Sequence, residues 1–270
     1  MFLMPPDFDK GPASRVQQAG SSKLNPYMLY LKDEEGYMPT MYEIYEKHAD
    51  RYDAMVQAED YRGNLKKLLW EQVKWSGSSV LEAGVGTGRV TRIYAEQVSS
   101  AVCCDRSSHM LEFAAKNLAD YGDRLTFKVA ENREFPTFDS TFDVFIQGWS
   151  FGHSIMDCLS QEELESTITL LVNNSEKNIR PGGTVILIET LGTNADVPNA
   201  PTEKLGYFYE QLEHQHGYER YAVRTDLKYQ SVEDAIFHLS FFFGDEMGEK
   251  LRKRGSAIIP EWTGVWIKQL

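Results

Sequence analysis

Apolar and polar residues follow one another in two recurring patterns along most of this chain. Short apolar runs read as buried strands, and stretches with apolar positions three and four apart read as helices packed on one face. Residues 38–48 read as a helix, with Met41, Tyr42, Ile44 and Tyr45 close to one face. A second helix is expected over 64–75, with Leu65, Leu68, Leu69 and Val73 inward. A regular strand–helix alternation follows. Strands are expected at 79–82, 101–105, 125–129, 142–147 and 184–189, the last entered through the turn Pro181-Gly182-Gly183. Helices are expected at 89–96, 108–119 and 161–178. This alternation implies a parallel sheet with helices on both faces. Past residue 190 the pattern changes to a loop (191–201), a helix (202–216), a strand (218–229), a long helix (232–254) and a last strand (257–268). A helix links those last two strands, so connection length leaves their relative direction open. The first 25 or so residues are rich in Pro, Gly, Ser, Ala and Gln, and a mobile tail is expected over 1–37.

Composition narrows the class. The chain has 270 residues, 42% hydrophobic and 25% charged, so a sizeable core is available to one α/β domain. The net charge is −12. The nearest thing to a basic run, Lys250-Leu251-Arg252-Lys253-Arg254, reads as a helix C-terminus, where cations complement the dipole. Nucleic acid is therefore not an expected partner. No apolar stretch approaches the length of a membrane span. Met1 to Pro6 lacks the basic and apolar regions of a signal peptide. Cys103, Cys104 and Cys158 read as buried free thiols, and a cytoplasmic protein is expected. His214 and His216 have no third ligand at a suitable spacing, so no metal is expected. Phe241, Phe242 and Phe243 read as core.

The chemistry is concentrated in Val80-Leu81-Glu82-Ala83-Gly84-Val85-Gly86-Thr87-Gly88-Arg89. A strand runs into three glycines at alternate positions, and a helix then opens. Glycines let the backbone turn sharply and let a ligand approach it. The dinucleotide fingerprint Gly-x-Gly-x-x-Gly fails, because its last position is Arg89. Glu82, just before the loop, would repel a pyrophosphate and suits a ligand with a cationic amino acid end. Asp105 closes the second strand about 20 residues on, where an acid pairs with ribose hydroxyls.

These residues resemble the class I S-adenosylmethionine-dependent methyltransferases over about residues 40 to 190. Glu82, Gly84, Gly86 and Gly88 match the family's first motif, and Asp105 its ribose-binding acid. Ser107 to Leu111 match the helix start that follows. Glu131 and Asn132 stand where the family has an Asp-Ala pair at the adenine, and Arg180-Pro181-Gly182-Gly183 matches its Lys-Pro-Gly-Gly turn. Tyr45 and Tyr52-Asp53 resemble the aromatic cover over the methionine end. The resemblance implies a Rossmann-like α/β fold with a seven-stranded, mostly parallel sheet. It implies a single methyltransferase domain over 38–270: covering helices over 38–75, a cofactor core over 76–190 and an acceptor-side segment over 191–270. The implied cofactor site adds Arg106, Met110 and Gln147 to the residues above. The acceptor would be a small molecule beside Trp149, Ser150, Tyr207 and Tyr218, with His153 as the candidate general base.

A competing motif overlaps this site. Gly148-Trp149-Ser150-Phe151-Gly152 spells the Gly-x-Ser-x-Gly of a hydrolase elbow, with Asp196 or Asp226 and then His238 downstream. No oxyanion segment precedes it, and the residues after Gly152 do not announce a helix. A hydrolase would also leave Glu82, the glycines and Asp105 without a role. A protein that binds the cofactor without turnover is the third reading.

Overall fold

The structure, a computed structural model, describes residues 39–270. The tail expected over 1–37 lies outside the described residues. The apolar runs foreseen in the sequence pair edge to edge. In chain order the strands are β1 (Ser79–Ala83), β2 (Ser100–Asp105), β3 (Leu125–Val129), β4 (Phe142–Gly148), β5 (Ile179–Thr193), β6 (Glu219–Arg224), β7 (Leu227–Lys228), β8 (Ile258–Ile259) and β9 (Glu261–Gln269). Seven of them form one sheet in the order β3-β2-β1-β4-β5-β9-β6, and β7 pairs with β8. β1 to β5 pair in parallel. β9 runs antiparallel to both β5 and β6, which settles the direction left open by the sequence. The register aligns Ala83 with Cys104 and with Gln147, and Gln147 with Leu187. The carboxyl ends of β1, β2, β4 and β5 therefore finish along one edge, where ligands of open parallel sheets bind.

The helices are α1 (Met41–Lys47), α2 (Ala49–Val56), α3 (Asn64–Gln72), α4 (Thr91–Tyr94), α5 (Ser108–Asn117), α6 (Phe151–Met156), α7 (Gln161–Glu176), α8 (Glu203–His214), α9 (Val232–Phe243) and α10 (Asp245–Arg254). Leu69 of α3, Tyr94 of α4 and Leu111 of α5 pack with Val80, Cys103, Ile146 and Val265 on one face of the sheet. Ile155 of α6, Leu171 of α7 and Phe208 of α8 pack with Leu81, Cys104, Phe145 and Trp266 on the other. A smaller cluster joins Met55 of α2 to Leu239 of α9, Leu251 of α10 and Ile259. Many starts obey local chemistry. Ser107, Ser160, Thr202 and Ser231 each accept a backbone N–H from the first turn, and Thr40 with Glu43 forms a capping box.

The departures from expectation have local causes. The helix expected over 232–254 divides at Gly244, whose φ of 87° no helix accommodates. The strand expected over 218–229 stops at Arg224, because the Asp226 carboxylate binds Arg224 and accepts the Glu261 N–H at 3.1 Å. α2 and α6 were not foreseen. α2 follows α1 at His48 without a capping side chain to mark its start, and α6 opens two residues after a strand without a capping side chain of its own. Among the described residues no helix is long and apolar enough to cross a membrane.

Trp266 is fully enclosed, lies 4.4 Å from the Tyr209 ring and donates its Nε1–H to Glu213 at 3.1 Å. Trp266→Ala is expected to lower stability by about 3–5 kcal/mol, read from the urea midpoint. A loss below about 1 kcal/mol would contradict this packing.

Candidate active site

Leaving β1, the chain turns at Gly84 (φ 65°) and Gly86 (φ 55°). A side chain at Gly84 would collide with Ser150, so glycine there lets the end of β4 come close. A Cβ on Gly86 would meet only the Tyr52 ring, at 3.8 Å, and otherwise project into open space. That space is a cavity of about 270 Å³. The Gly86 N–H donates to Oδ2 of Asp105 at 2.9 Å, and the Ser107 N–H donates to Oδ1 at 2.9 Å. Asp105 thus ties the glycine loop to the end of β2 and the start of α5. Burial pushes its carboxyl up, against the two backbone donors that pull it down. Two backbone donors leave part of the carboxylate's acceptor capacity free, and Asp105 lines the cavity.

The other walls come from separate elements. Met110 of α5 lies at one side, with Ala130, Glu131 and Asn132 after β3. Arg106 pairs with Glu131 at 3.5 Å and lies over the Tyr42 ring. The end of β4 and the turn after it contribute Gly148, Trp149 and Ser150, Trp149 holding a positive φ of 53°. Arg89 lies 3.6 Å over the Trp149 ring and pairs with Glu59. α6 contributes His153, Ser154 and, at its end, Asp157. Tyr42 and Tyr45 of α1 and Tyr52 of α2 cover the opening. The Tyr42 hydroxyl donates to Asp157. The Tyr45 hydroxyl lies 3.0 Å from Nε2 of His153. Burial lowers the His153 pKa below the ordinary histidine value, which favours a neutral imidazole. Burial also holds Tyr42, pushed up to about 12, and Tyr45 protonated.

Comparison with known proteins points to the same chemistry. A profile described as a methyltransferase domain matches residues 80–171. Over those residues the chain is similar to a methyltransferase domain, and it carries the class I fold. An uncharacterised methyltransferase of Anoxybacillus flavithermus is 28% identical over 163 residues, covering 58% of this chain and 71% of that one. One from a Geobacillus species is 30% identical over 115 residues, covering 41% of this chain and 53% of its own length. The chain therefore matches between about half and seven tenths of these two relatives. Among solved structures, a phosphoethanolamine N-methyltransferase of Haemonchus contortus superposes with a TM-score of 0.51. It is 15% identical, over 84% of this chain and 58% of that one, and so attests the fold.

S-adenosylmethionine is the cofactor of such domains, and the methyltransferase cavity fits it. The opening at Gly86 is a cradle that a side chain would fill. Asp105 offers acceptors for a ribose diol, and Met110 and Ala130 offer an apolar wall beside the polar Glu131 and Asn132.

Twelve of the sequence-derived residues line this cavity: Tyr45, Tyr52, Gly84, Gly86, Asp105, Arg106, Met110, Glu131, Asn132, Trp149, Ser150 and His153. Five do not. Glu82 is fully buried behind the loop, where Thr91 and Tyr94 donate to Oε2 at 2.6 Å. Burial pushes its carboxyl up to about 7, and its Oε1 has no hydrogen-bond partner among the described residues. Gly88 packs against Leu118 rather than a ligand. Gln147 is buried beneath the cavity, holding Ser150 and Glu189. Tyr207 donates to Glu165 on the outer surface, and Tyr218 is buried against Glu176. No residue beyond Asp157 lines the cavity, so the segment 191–270 builds no wall of it. Its Phe242 instead backs the ring of Tyr52.

The sequence reading missed Tyr42, Ala130, Arg133, Ser154 and Asp157. Tyr42 was within reach, because it stands one helical turn before Tyr45. Asp157 stands one turn after His153, but that relation is invisible without α6. The hydrolase reading fails on geometry. A helix does follow the serine, contrary to expectation, yet the Ser150 hydroxyl donates to Gln147 at 3.0 Å and no histidine reaches it. His238 pairs instead with Asp234 and stacks on Tyr229.

Gly86→Val is expected to weaken S-adenosylmethionine binding by more than about tenfold in calorimetry. The control is Gly122→Val, which has a similar φ of 58° and no neighbour within 4 Å. It too is strained at positive φ and, lying outside the cavity, should leave affinity unchanged. Equal losses in both variants would remove Gly86 from the site.

Proposed function

We propose that this enzyme transfers the methyl group of S-adenosylmethionine to a hydroxyl on a small-molecule acceptor, with His153 as general base. The observation that carries the reading is the half-buried His153, its pKa lowered by burial, in the same cavity as Asp105 and the Gly86 cradle. When bound, the cofactor supplies a methyl group already activated on a sulfonium. Gly86, Asp105, Met110 and Asn132 are the residues that would hold it. The protein then has to align the acceptor and remove its proton. Alignment can supply about 7–11 kcal/mol at best. Trp149, Ser150 and Tyr45 shape the acceptor end, and His153 takes the acceptor proton. Tyr45 stays protonated and so orients the imidazole rather than competing as a base. A net charge of −12 supports a small acceptor over a nucleic acid. Three buried, unbridged cysteines support a cytoplasmic location.

A screen of small hydroxyl and amine acceptors, read by S-adenosylhomocysteine release, tests the activity. His153→Gln is expected to lower kcat by about 10²–10⁴-fold while leaving cofactor affinity unchanged. For wild type, kcat should fall as pH drops, with the midpoint below the ordinary histidine value, because burial lowers the His153 pKa. Full activity in the Gln variant would remove His153 from the chemistry.

Ser150 should behave as a wall. A fluorophosphonate probe is expected to leave it unlabelled, and Ser150→Ala should keep cofactor binding. Stoichiometric labelling at Ser150 would restore the hydrolase.

A further inference from the structure

α6 carries the candidate base, yet nothing in its own sequence fixes it. It is six residues long, and its N-cap, Ser150, makes no side-chain capping bond. A helix this short does not stand alone in water. Its first backbone donors are taken instead by two side chains from the sheet. Oε1 of Gln147, at the end of β4, accepts the Ser150 and Phe151 N–H groups at 3.1 and 3.4 Å. Oε1 of Glu189, on β5, accepts the Gly152 N–H at 2.9 Å and the Gln147 amide at 3.1 Å. A Cβ at Gly152 would sit 2.8 Å from Oε2 of Glu189, so glycine is what allows the carboxylate to reach the backbone.

Glu189 is 2% exposed. A buried carboxylate is expensive, at several kcal/mol after relaxation. It is held here by two donors, the Gly152 N–H and the Gln147 amide, and the reaction itself leaves it unused. Burial pushes it up to about 7, but a neutral carboxyl keeps a carbonyl acceptor for Gly152. What the residue supplies in either form is a fixed anchor one position before His153.

We propose that Glu189, through its bond to the Gly152 N–H, is a positioning residue that sets where α6 begins and so places the His153 imidazole against Tyr45 in the acceptor end of the cavity. The role rests on the assignment of His153 as base, but its primary test does not. The imidazole lies 5.5 Å from the Tyr45 ring and 6.2 Å from the Tyr42 ring. Aromatic rings at that range displace its ring-proton resonances in NMR. The probe is histidine-labelled full-length protein, with the His153 signal assigned by His153→Gln and the His216 and His238 signals reporting the rest of the fold.

Glu189→Gln keeps an acceptor and is expected to leave the His153 signal in place. Glu189→Leu removes the acceptor, and Gly152→Ala pushes the carboxylate away from the opposite side. Both are expected to abolish the ring-induced displacement of His153, while His216 and His238 stay put and cofactor affinity changes by less than about threefold. With an acceptor from the screen, kcat should fall by about 10²-fold in both, as for a catalytic group misplaced by about 1 Å, and recover in Glu189→Gln. A Leu variant whose His153 signal superposes on wild type overturns the proposal, as does a Gln variant displaced as far as the Leu variant. If Glu189→Leu does not fold, Gly152→Ala decides the same question. A displaced His153 in a protein with no methyl transfer to any acceptor would refute the base while leaving the anchor standing.

Discussion

The site depends on one carboxylate. Asp105 accepts backbone N–H groups from Gly86 and Ser107, each at 2.9 Å, and so binds the glycine loop of β1 to the start of α5. Without that clamp a loop with three positive-φ glycines would be free to move, and the cradle at Gly86 would not be preformed. The same carboxylate lines the cavity with acceptor capacity to spare. Loop order and the polarity of this cavity wall therefore rest on a single group, whose partial burial is tolerated because backbone donors compensate it.

Around this clamp the sheet supplies rigidity and the short helices supply contacts. The level carboxyl ends of β1, β2, β4 and β5 put Gly84, Asp105, Gln147 and Glu189 along one edge. Polar side chains on those ends do different work. Asp105 lines the cavity, whereas Gln147 and Glu189 turn inward and hold the first turn of α6. Arg89 bridges Glu59 to the face of Trp149, steadying a residue that sits at positive φ. α1 and α2 then close the opening with three tyrosines, backed by Phe242 of α9. The late segment acts on the cavity through that aromatic contact and through the β9 pairing, rather than by lining it.

The centre of the sheet was legible because β1, β4 and the second half of β5 are nearly continuous apolar runs buried on both faces. The cavity wall at the strand ends was legible for a related reason: Gly86, Asp105, Glu131 and Asn132 lie at or just after strand ends, so their position in sequence is close to their position in space. The acceptor side was less so. Tyr207 and Tyr218 lie in an aromatic-rich stretch, and aromatic content does not tell a pocket wall from packing. Glu82 shows the limit of reading charge without direction. On a strand, successive side chains alternate faces, and Glu82 turns toward Thr91 and Tyr94 instead of the ligand. α6 escaped notice because its capping groups, Gln147 and Glu189, come from two strands, one of them far off in sequence.

The most direct measurement is a crystal structure of the full-length protein with S-adenosylhomocysteine. The expected result places both ribose hydroxyls on Asp105, the loop backbone at Gly86 against the ligand, the adenine beside Met110 and Ala130, and the sulfur toward Trp149 and His153. A ligand bound elsewhere, or in this cavity with Asp105 left to its two backbone donors alone, would contradict it.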